Sequence, residues 1–478
     1  NGITQGTVTA SIATDSTVDS LATLTGTNAY TITIAAADAT GSTAAELTAI
    51  DNATSVTVDV SAITSIEGTY GEITALYGSS GVSGFGDESI TITGGSLSVE
   101  EANAIDLLTT GVVTASIATD SIVDSLATLT GTNNAYTITI AAADATGSTA
   151  SELTTISNAT TVAIDASAVT GLASDTAANI KTLLTAGNDT AQFTGASFGS
   201  LATAVVSDTT LSGSDLAGAI DQANTATGGT GTVFTISAVN TITGSEADFT
   251  DLLTDEGNTQ IAITDQALTV NTGEVSVSTA RSLSETTTGT VTGTITSGTT
   301  IAAMLNSSSG LTDGADAYTI TIAAGDAEVT ATNLTALYGK TSVAVDASAV
   351  TQITGTVAEA NIVYGAGSSE ITGLGNEIVV TTESSLADVT ALNTLDGNTT
   401  GTVNTATITS ITGTLAKLLT AYGSNGITGL GNEAITVSDT TSLAASDLNS
   451  LDSKTSGTVT TSTSLATLTG TVAALNTA

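Results

Sequence analysis

Two patterns of hydrophobic and polar residues alternate along the chain. In the first, apolar residues alternate with threonine or another polar residue, as in residues 30–34 (YTITI), 56–60 (VTVDV) and 90–92 (ITI). Period-two alternation of β-branched and aromatic residues predicts half-buried β-strands. In the strand at 30–34 we expect Tyr30, Ile32 and Ile34 to face a core and the threonines between them to face outward.

The second pattern has helical spacing and starts at a hydroxyl residue. A serine or threonine is followed three positions later by glutamate, and then by leucine or isoleucine at helical intervals. This is a capping box, in which the hydroxyl and the glutamate bind the free amides of a helix start. Three such boxes predict short helices of two or three turns, beginning at Thr43 with Glu46, Ser98 with Glu101 and Thr149 with Glu152.

The two patterns recur with a regular spacing. Strand starts are predicted near residues 8, 30, 56, 90, 113, 136 and 162, and again near 291, 318, 343, 378, 403, 435 and 459. A strand that reaches the next strand through a short helix makes a crossover, and such crossovers are parallel and right-handed. The prediction is therefore an α/β repeat fold, a right-handed solenoid of strand–short helix coils with a parallel sheet along one side.

Long internal copies support the prediction of a repeat. Residues 6–64 reappear as residues 111–170 with one asparagine inserted, whereas residues 171–285 keep the composition but lose the regular spacing. We therefore predict regular coils in 1–170, degenerate coils of the same stack in 171–285, and regular coils in 286–478. Repetition of this kind is typical of spacers and scaffolds.

The two ends of the chain fit the same repeat. Residues 468–478 (LTGTVAALNTA) match residues 411–421 (ITGTLAKLLTA), and the loop after that earlier copy resembles the start of the chain, NGITQG. Neither 1–12 nor 465–478 has the polar character of a capping segment. We expect each end to stack on another copy of the chain, or on further repeats of a longer chain.

The composition excludes several kinds of catalysis. The chain contains no cysteine, histidine, tryptophan or proline, so thiolate nucleophiles, Ser-His-Asp triads, structural zinc sites and iron–sulfur clusters are excluded. Glycoside hydrolysis by two carboxylates needs a cleft with the carboxyl groups about 5–10 Å apart, which a uniform solenoid does not provide. We predict that the protein is not an enzyme, with a carbohydrate-active enzyme as a distant alternative.

The charge narrows the choice of partners. Forty-six acidic residues against five scattered basic ones give a formal net charge of −41. Nucleic acids and anionic membranes are bound through clustered cations, so neither is an expected partner. The chain also lacks an apolar stretch of about 18 residues, which argues against direct membrane insertion. An acidic surface suits solubility and the attraction of cations in salty water.

Three glycine-rich loops carry the ligand chemistry that the sequence offers. They read GFGDE (84–88), GLGNE (373–377) and GLGNE (429–433). One interpretation is a structural loop, in which glycine supplies positive φ and glutamate is a surface charge. The alternative is a calcium site, because calcium prefers oxygen ligands; the loops resemble the calcium-binding Gly-Asp nonapeptide repeats of secreted toxins, but they are not in tandem. The candidate calcium ligands are Asp87, Glu88, Asn376, Glu377, Asn432 and Glu433.

Two further features have simple structural interpretations. Asp59, Asp165 and Asp346 recur at predicted strand ends in the pattern V-x-[VI]-D-x-S, and we interpret them as caps or turns. The outward threonines suit β-strands and solubility. An ice-binding threonine ladder is a distant alternative.

The C-terminal half, from about Val343, resembles a known kind of protein. The phrases that carry the resemblance are ITGTLAKLLTAYGSNGITGLGNE (411–433), NGITGLGNEAITVSDTTSLAASDLNSLDSKTSGTV (425–459) and SGTVTTSTSLATLTGTVAALNTA (456–478). They are similar to giant, repetitive, acidic cell-surface proteins of marine cyanobacteria, of the type associated with non-flagellar swimming. The resemblance implies an acidic, extracellular or cell-surface fibrous protein and carries over no catalytic residues.

These observations lead to a structural function. We expect an extracellular repeat protein that forms a rod, surface layer or filament, by end-to-end stacking or as part of a giant chain. The alternative is a calcium-dependent cell-surface adhesin. Expected partners are other copies of the chain and, for an adhesin, cell-surface polysaccharide; calcium is the one cofactor considered.

Overall fold

Short strands, singly or in succession, and short helices follow one another along the computed structural model, which describes residues 6–365 and 369–477. The helices are α1 (Val18–Leu21), α2 (Ala44–Ala53), α3 (Tyr70–Tyr77), α4 (Val99–Asp106), α5 (Val123–Leu126), α6 (Ala150–Asn158), α7 (Ala177–Gly187), α8 (Gly213–Thr227), α9 (Glu246–Gly257), α10 (Val277–Thr286), α11 (Ile301–Met304), α12 (Ala331–Tyr338), α13 (Val357–Gly365), α14 (Val389–Asn398), α15 (Leu415–Gly423), α16 (Ala445–Asp452) and α17 (Val472–Leu475). Three short 3-10 turns lie at Ala36–Asp38, Ala142–Asp144 and Ala324–Asp326.

Most of the strands have between two and five residues. In the first half they are β1 (Thr9–Ser11), β2 (Ala29–Thr31), β3 (Ser42–Thr43), β4 (Val58–Asp59), β5 (Ser65–Gly68), β6 (Val82–Ser83), β7 (Ser89–Leu97), β8 (Val113–Ile117), β9 (Ala135–Thr137), β10 (Gly171–Asp175), β11 (Thr203–Val206), β12 (Thr210–Ser212) and β13 (Val233–Thr235). In the second half they are β14 (Thr241–Ser245), β15 (Ala267–Thr272), β16 (Val291–Thr294), β17 (Ala317–Thr319), β18 (Glu328–Thr330), β19 (Val345–Asp346), β20 (Gln352–Gly355), β21 (Ile371–Thr372), β22 (Ile378–Thr381), β23 (Ser385–Leu386), β24 (Val403–Asn404), β25 (Ser410–Gly413), β26 (Ile427–Thr428), β27 (Ala434–Val437), β28 (Ser442–Ala444), β29 (Val459–Thr461) and β30 (Thr467–Thr469).

The strands pair in parallel with strands further along the chain. Ile66 of β5 lies beside Ile90 of β7, and Ile90 lies beside Val113 of β8. Hydrogen bonds between such neighbours commonly join residues 24 to 26 positions apart. We call the stretch of chain from one strand to the strand that pairs with it a layer. The mixed α/β fold with parallel strands is confirmed.

The alternating pattern gives the predicted burial. Tyr30, Ile32 and Ile34 are buried, whereas Thr31 and Thr33 between them are exposed. Successive side chains of a strand point to opposite faces, so one set enters the core and the other faces solvent. The predicted outward orientation of these threonines is confirmed.

The capping boxes begin helices where they are predicted. Thr43 accepts a hydrogen bond from the amide of Glu46, and the Glu46 carboxylate accepts one from the amide of Thr43; the boxes at Ser98 and Thr149 have the same arrangement. Helices of 8 to 10 residues are marginal on their own. Burial of one face stabilises them, and Leu47 and Ile50 of α2 are almost completely buried.

Three strands lie where the alternation is too short to predict them. β5 (SIEG), β20 (QITG) and β25 (SITG) each have one fully buried isoleucine and end in glycine, one residue before a helix N-cap. The glycine is needed because a Cβ at Gly68 or Gly355 would lie 3.0 Å from an alanine Cβ of the preceding layer. These strands carry the parallel pairing up to the helix start.

The position of the helix relative to the paired strands changes along the chain. In the sheet of order β18-β20-β22-β24-β26, the strands β18 and β20 directly precede α12 and α13, whereas β24 and β26 follow α14 and α15. β22, between them in the sheet, is flanked in sequence by strands. The described strands form nine sheets rather than one continuous parallel sheet. The solenoid arrangement stays a prediction.

The described residues fall into two compact units. One lies within Asn1–Val239 and Thr254–Ala262, the other within Asn240–Leu253 and Ile263–Ala478. The division falls inside 171–285, the segment predicted to contain degenerate coils. Layers are longer there, since Gly171 pairs with Thr203 and Thr203 with Val233. The predicted three-part organisation stays a prediction.

Candidate functional site

Each glycine-rich loop joins a two-residue strand to a longer one. The loop at 84–88 lies between β6 and β7, the loop at 373–377 between β21 and β22, and the loop at 429–433 between β26 and β27. The two-residue strand pairs with the preceding layer, as Val82 does with Val58. The three loops therefore occupy equivalent places in the fold.

The glutamate at the end of each loop is fully buried. The Glu88 carboxylate accepts hydrogen bonds from the Tyr77 hydroxyl (2.9 Å) and from the Gly86 amide (3.0 Å). Tyr77 is the last residue of α3, so this contact ties the helix end to the loop. The expectation that the glutamate is a surface charge is wrong, because the side chain turns inward to bind these two donors.

The other two loops repeat this arrangement. The Tyr364 hydroxyl donates to Glu377 at 2.8 Å and the Tyr422 hydroxyl donates to Glu433 at 2.6 Å. The amides of Gly375 and Gly431 also donate to these carboxylates. Burial raises the pKa of all three tyrosine hydroxyls above the ordinary value, and the adjacent carboxylate raises it further. Each tyrosine therefore stays protonated and acts as a donor.

The first glycine of each loop packs against the preceding layer. Gly84 has φ +101°, and a Cβ there would lie 2.7 Å from the Ser61 amide nitrogen. That amide donates to Asp59 at 3.0 Å, which lowers the pKa of the Asp59 carboxyl. Asp165 and Asp346 accept from the amides two residues later in the same way. The interpretation of these aspartates as turn residues is confirmed, as is positive φ in the glycine-rich loops.

The following layer covers each loop from the other side. The Thr109 hydroxyl donates to the carbonyl oxygen of Glu88 at 2.6 Å, and Thr399 and Thr455 do the same to Glu377 and Glu433. A glycine follows two residues after each threonine, at positions 111, 401 and 457. A Cβ added at any of these positions would overlap the main-chain carbonyl oxygen of the loop glutamate. The Tyr–Glu contacts are thus enclosed between two layers.

The structure separates the six candidate calcium ligands. Asp87, Asn376 and Asn432 are exposed, whereas the glutamate beside each of them is completely buried and bound by tyrosine and glycine. Within the part of the chain that the structure describes, no group of three or more Asp and Glu side chains is placed to hold a metal ion. Calcium at these loops stays a prediction.

A fourth loop has a glutamine in place of the glutamate. Gln266 is buried, and its Oε1 accepts from the Thr264 amide at 2.8 Å. The Thr287 hydroxyl donates to its carbonyl at 2.7 Å, and Gly289 follows as in the other loops. The loop was not predicted because it lacks the GxGxE pattern. The sequence signal that could have identified it is the threonine and glycine at 287 and 289, which follow Gln266 at the same distance as Thr109 and Gly111 follow Glu88.

Carboxylates also join helix starts to the next layer. The Leu415 amide at the start of α15 donates to Asp439 at 2.7 Å, and the Val357 amide at the start of α13 donates to Glu383 at 2.7 Å. The first amides of a helix have no partner within it, and a negative charge there is favourable. The same contact joins Asp38 to Val18, Asp144 to Val123, Asp175 to Ser151, Asp208 to Ala177 and Asp326 to Ile301.

Two carboxylate pairs lie on neighbouring helices of the duplicated segments. Asp19 of α1 lies beside Glu46 of α2, and Asp124 of α5 beside Glu152 of α6. A hydrogen bond with the glutamate raises the pKa of each aspartate. Both aspartates are exposed, and the glutamates also serve the capping boxes. The pairs therefore lie at the helix surface.

Comparison with known proteins adds no identification. No protein-family model matches the chain, and no curated protein matches it significantly. Over the described residues, every helix is too short or too polar to cross a bilayer.

Proposed function

We propose that the chain is a structural, non-catalytic repeat protein of the cell surface or its exterior, built as a right-handed solenoid that acts as a rod or filament segment. The observation that carries this proposal is that aspartate and glutamate carboxylates accept structural hydrogen bonds from backbone amides and tyrosine hydroxyls. Seven carboxylates at helix starts hold one layer to the next. The glutamates of the three glycine-rich loops are bound within their own layer by a tyrosine at a helix end. These carboxylates, which could in principle act as catalytic groups, are used in structural hydrogen bonds.

The composition supports the same proposal. A net charge of −41 keeps a chain of stacked layers soluble and favours a salty exterior. The resemblance of the C-terminal half to giant acidic surface proteins points to the same setting. Self-association, or continuation in a longer chain, is the expected mode of assembly.

Electron microscopy of the purified chain tests the proposal. Stacked layers of one strand spacing each, about 4.8 Å, should give elongated particles or fibres. Compact particles with a deep central cleft would contradict a structural role. Turnover of a polysaccharide by the purified chain would support the carbohydrate-active alternative instead.

A further inference from the structure

The turn between α15 and β26 places an asparagine directly before a glycine whose amide is bound by a serine. The Gly426 amide donates a hydrogen bond to the Ser424 hydroxyl oxygen at 2.9 Å, and the Ser424 hydroxyl donates to the Asp396 carboxylate at 2.7 Å. Asp396 lies in α14, one layer earlier. Two hydrogen bonds in series therefore connect the backbone nitrogen that follows Asn425 to a carboxylate.

An equivalent turn between α3 and β6 has the same hydrogen bonds without the asparagine. The Gly81 amide donates to Ser79 at 3.1 Å, and Ser79 donates to Asp51 of α2 at 2.6 Å. Ser80 takes the place of Asn425. In both turns a Cβ on the glycine would overlap the aspartate carboxylate. The hydrogen bonds thus have a structural role in both turns, and the asparagine is the difference between them.

We propose that Asn425 is a self-modification site, at which the folded chain converts the asparagine into isoaspartate and aspartate. The Gly426 nitrogen attacks Cγ of Asn425 and forms a cyclic succinimide, and the side-chain amide leaves as ammonia. Water then adds to either carbonyl carbon of the ring and opens it, giving isoaspartate or aspartate. The net reaction is the hydrolysis of an amide to an acid and ammonia, and water is the only other reactant.

The two hydrogen bonds supply the base that this reaction needs. A backbone amide is a weak nucleophile until its proton is removed, and a positioned general base accelerates such a step by about 10²–10⁴-fold. The Gly426 proton passes to Ser424 while the Ser424 proton passes to Asp396, from which it returns to solvent; the departing ammonia takes its proton from solvent.

The geometry leaves the attack open. The N–H bond of Gly426 lies in the plane of the peptide group, whereas the electron pair that attacks is perpendicular to this plane. The hydrogen bond to Ser424 therefore does not block the approach of Cγ. Asn425 is exposed, so water reaches the succinimide.

The product alters the layer in which it forms. Isoaspartate carries the main chain through its side-chain carbon, which lengthens the backbone directly before β26. The Gly426 carbonyl accepts from the Val403 amide at 2.8 Å, and Ile427 pairs with Val403. The longer backbone and the new negative charge near Asp396 should weaken this pairing between layers.

The variant Ser80→Asn tests the proposal, because the turn at Gly81 has the hydrogen bonds and lacks only the asparagine. After incubation in heavy-oxygen water at neutral pH, peptide mass spectrometry should detect oxygen incorporation and isoaspartate at Asn425 and, in the variant, also at position 80. Addition of Ser79→Ala to this variant should slow the conversion at position 80 at least about tenfold. The conversion at Asn425 in the same molecule is the control and should not change.

Unfolding of the wild type provides a second measurement, since urea removes the hydrogen bonds but keeps the Asn–Gly sequence. Conversion of Asn425 should be at least about tenfold slower in urea than in the folded chain. Equal or faster conversion in urea would overturn the proposal. An Asn425 that stays unmodified in the folded chain would overturn it too, as would a Ser80→Asn chain that shows no conversion at position 80 or is indifferent to Ser79→Ala.

Discussion

At the scale of single residues, the buried Tyr–Glu pairs are the most specific feature of the chain. In each pair a tyrosine hydroxyl donates a hydrogen bond to a glutamate carboxylate that is fully buried. The bond connects the end of a helix to the glycine-rich loop that follows it. Burial of a polar group is costly unless every donor and acceptor is satisfied. The pair is therefore sensitive to the removal of either partner.

Removal of one glutamate should destabilise its unit. Glu377→Ala leaves the half-buried Tyr364 hydroxyl and Gly375 amide without their acceptor, and we expect a loss of about 2–4 kcal/mol in the free energy of unfolding. Glu377→Gln should cost less, because Gln266 occupies the equivalent place with an amide. Urea unfolding measures both, with exposed Glu328→Ala as the matched control. Equal stability of all three variants would show that the pair contributes nothing.

Two glycines close in sequence give a second test. Gly401 lies against the carbonyl oxygen of Glu377. Gly401→Ala would push these two backbone segments apart and should lower the free energy of unfolding by about 1–3 kcal/mol. Gly397 in α14 has open space around its Cβ position. Gly397→Ala should be neutral or stabilise by up to about 1 kcal/mol, because alanine favours a helix. Thermal unfolding distinguishes them, and a reversed order would contradict the close packing of the loop by the next layer.

At the scale of elements, carboxylates at helix starts make stacking sensitive to acid. Burial alone would raise the pKa of Asp175, but hydrogen bonds from Asn179, Ser151 and Thr176 outweigh it and lower the pKa. A lowered folded-state pKa contributes stability that is present above the unfolded value, about 3.9, and is lost as the pH falls through the folded value. Glu46 and Glu152, whose pKa values are also lowered, act in the same direction.

Unfolding between pH 7 and 3 should follow this linkage. We expect the urea midpoint of the wild type to be nearly constant above about pH 5 and to fall below about pH 4. Asp175→Asn removes one titrating group, so its midpoint should fall less steeply in the acid range. Asp120→Asn, at an exposed position, serves as the control and should follow the wild type. Parallel curves for all three chains would exclude Asp175 as a contributor.

The elements were predicted more fully than the contacts between them. The alternation at Tyr30–Ile34 and the box at Thr43 each depend on neighbours in sequence, and both are confirmed. The inward turn of Glu88 depends on Tyr77 and on two adjoining layers, so local sequence could not distinguish it from a surface charge. Likewise β25 has a single buried isoleucine, Ile411, and its pairing with β27 depends on residues 24 positions away.

At the scale of the whole molecule, the net charge of −41 opposes the folded state. Like charges repel less as salt is added, because the Debye length falls from about 30 Å at 0.01 M to about 3 Å at 1 M. We therefore expect the melting temperature to rise with sodium chloride. Since the loop glutamates are bound within the protein, calcium and magnesium should give equal rises at equal ionic strength. A larger rise with calcium alone, reversed by chelator, would support the adhesin alternative.

The outward threonines of one sheet form only a short row of hydroxyl groups. Thr412, Thr436 and Thr460 stand in register across β25, β27 and β29, and the last two hydroxyls are 3.4 Å apart. The row stops after three threonines in the described sheet, since Ala387 follows β23 at the next place. A crystal face such as ice is matched by a long, flat lattice of identical groups. In this sheet the row of hydroxyl groups is three strands wide, which is far from an extended lattice.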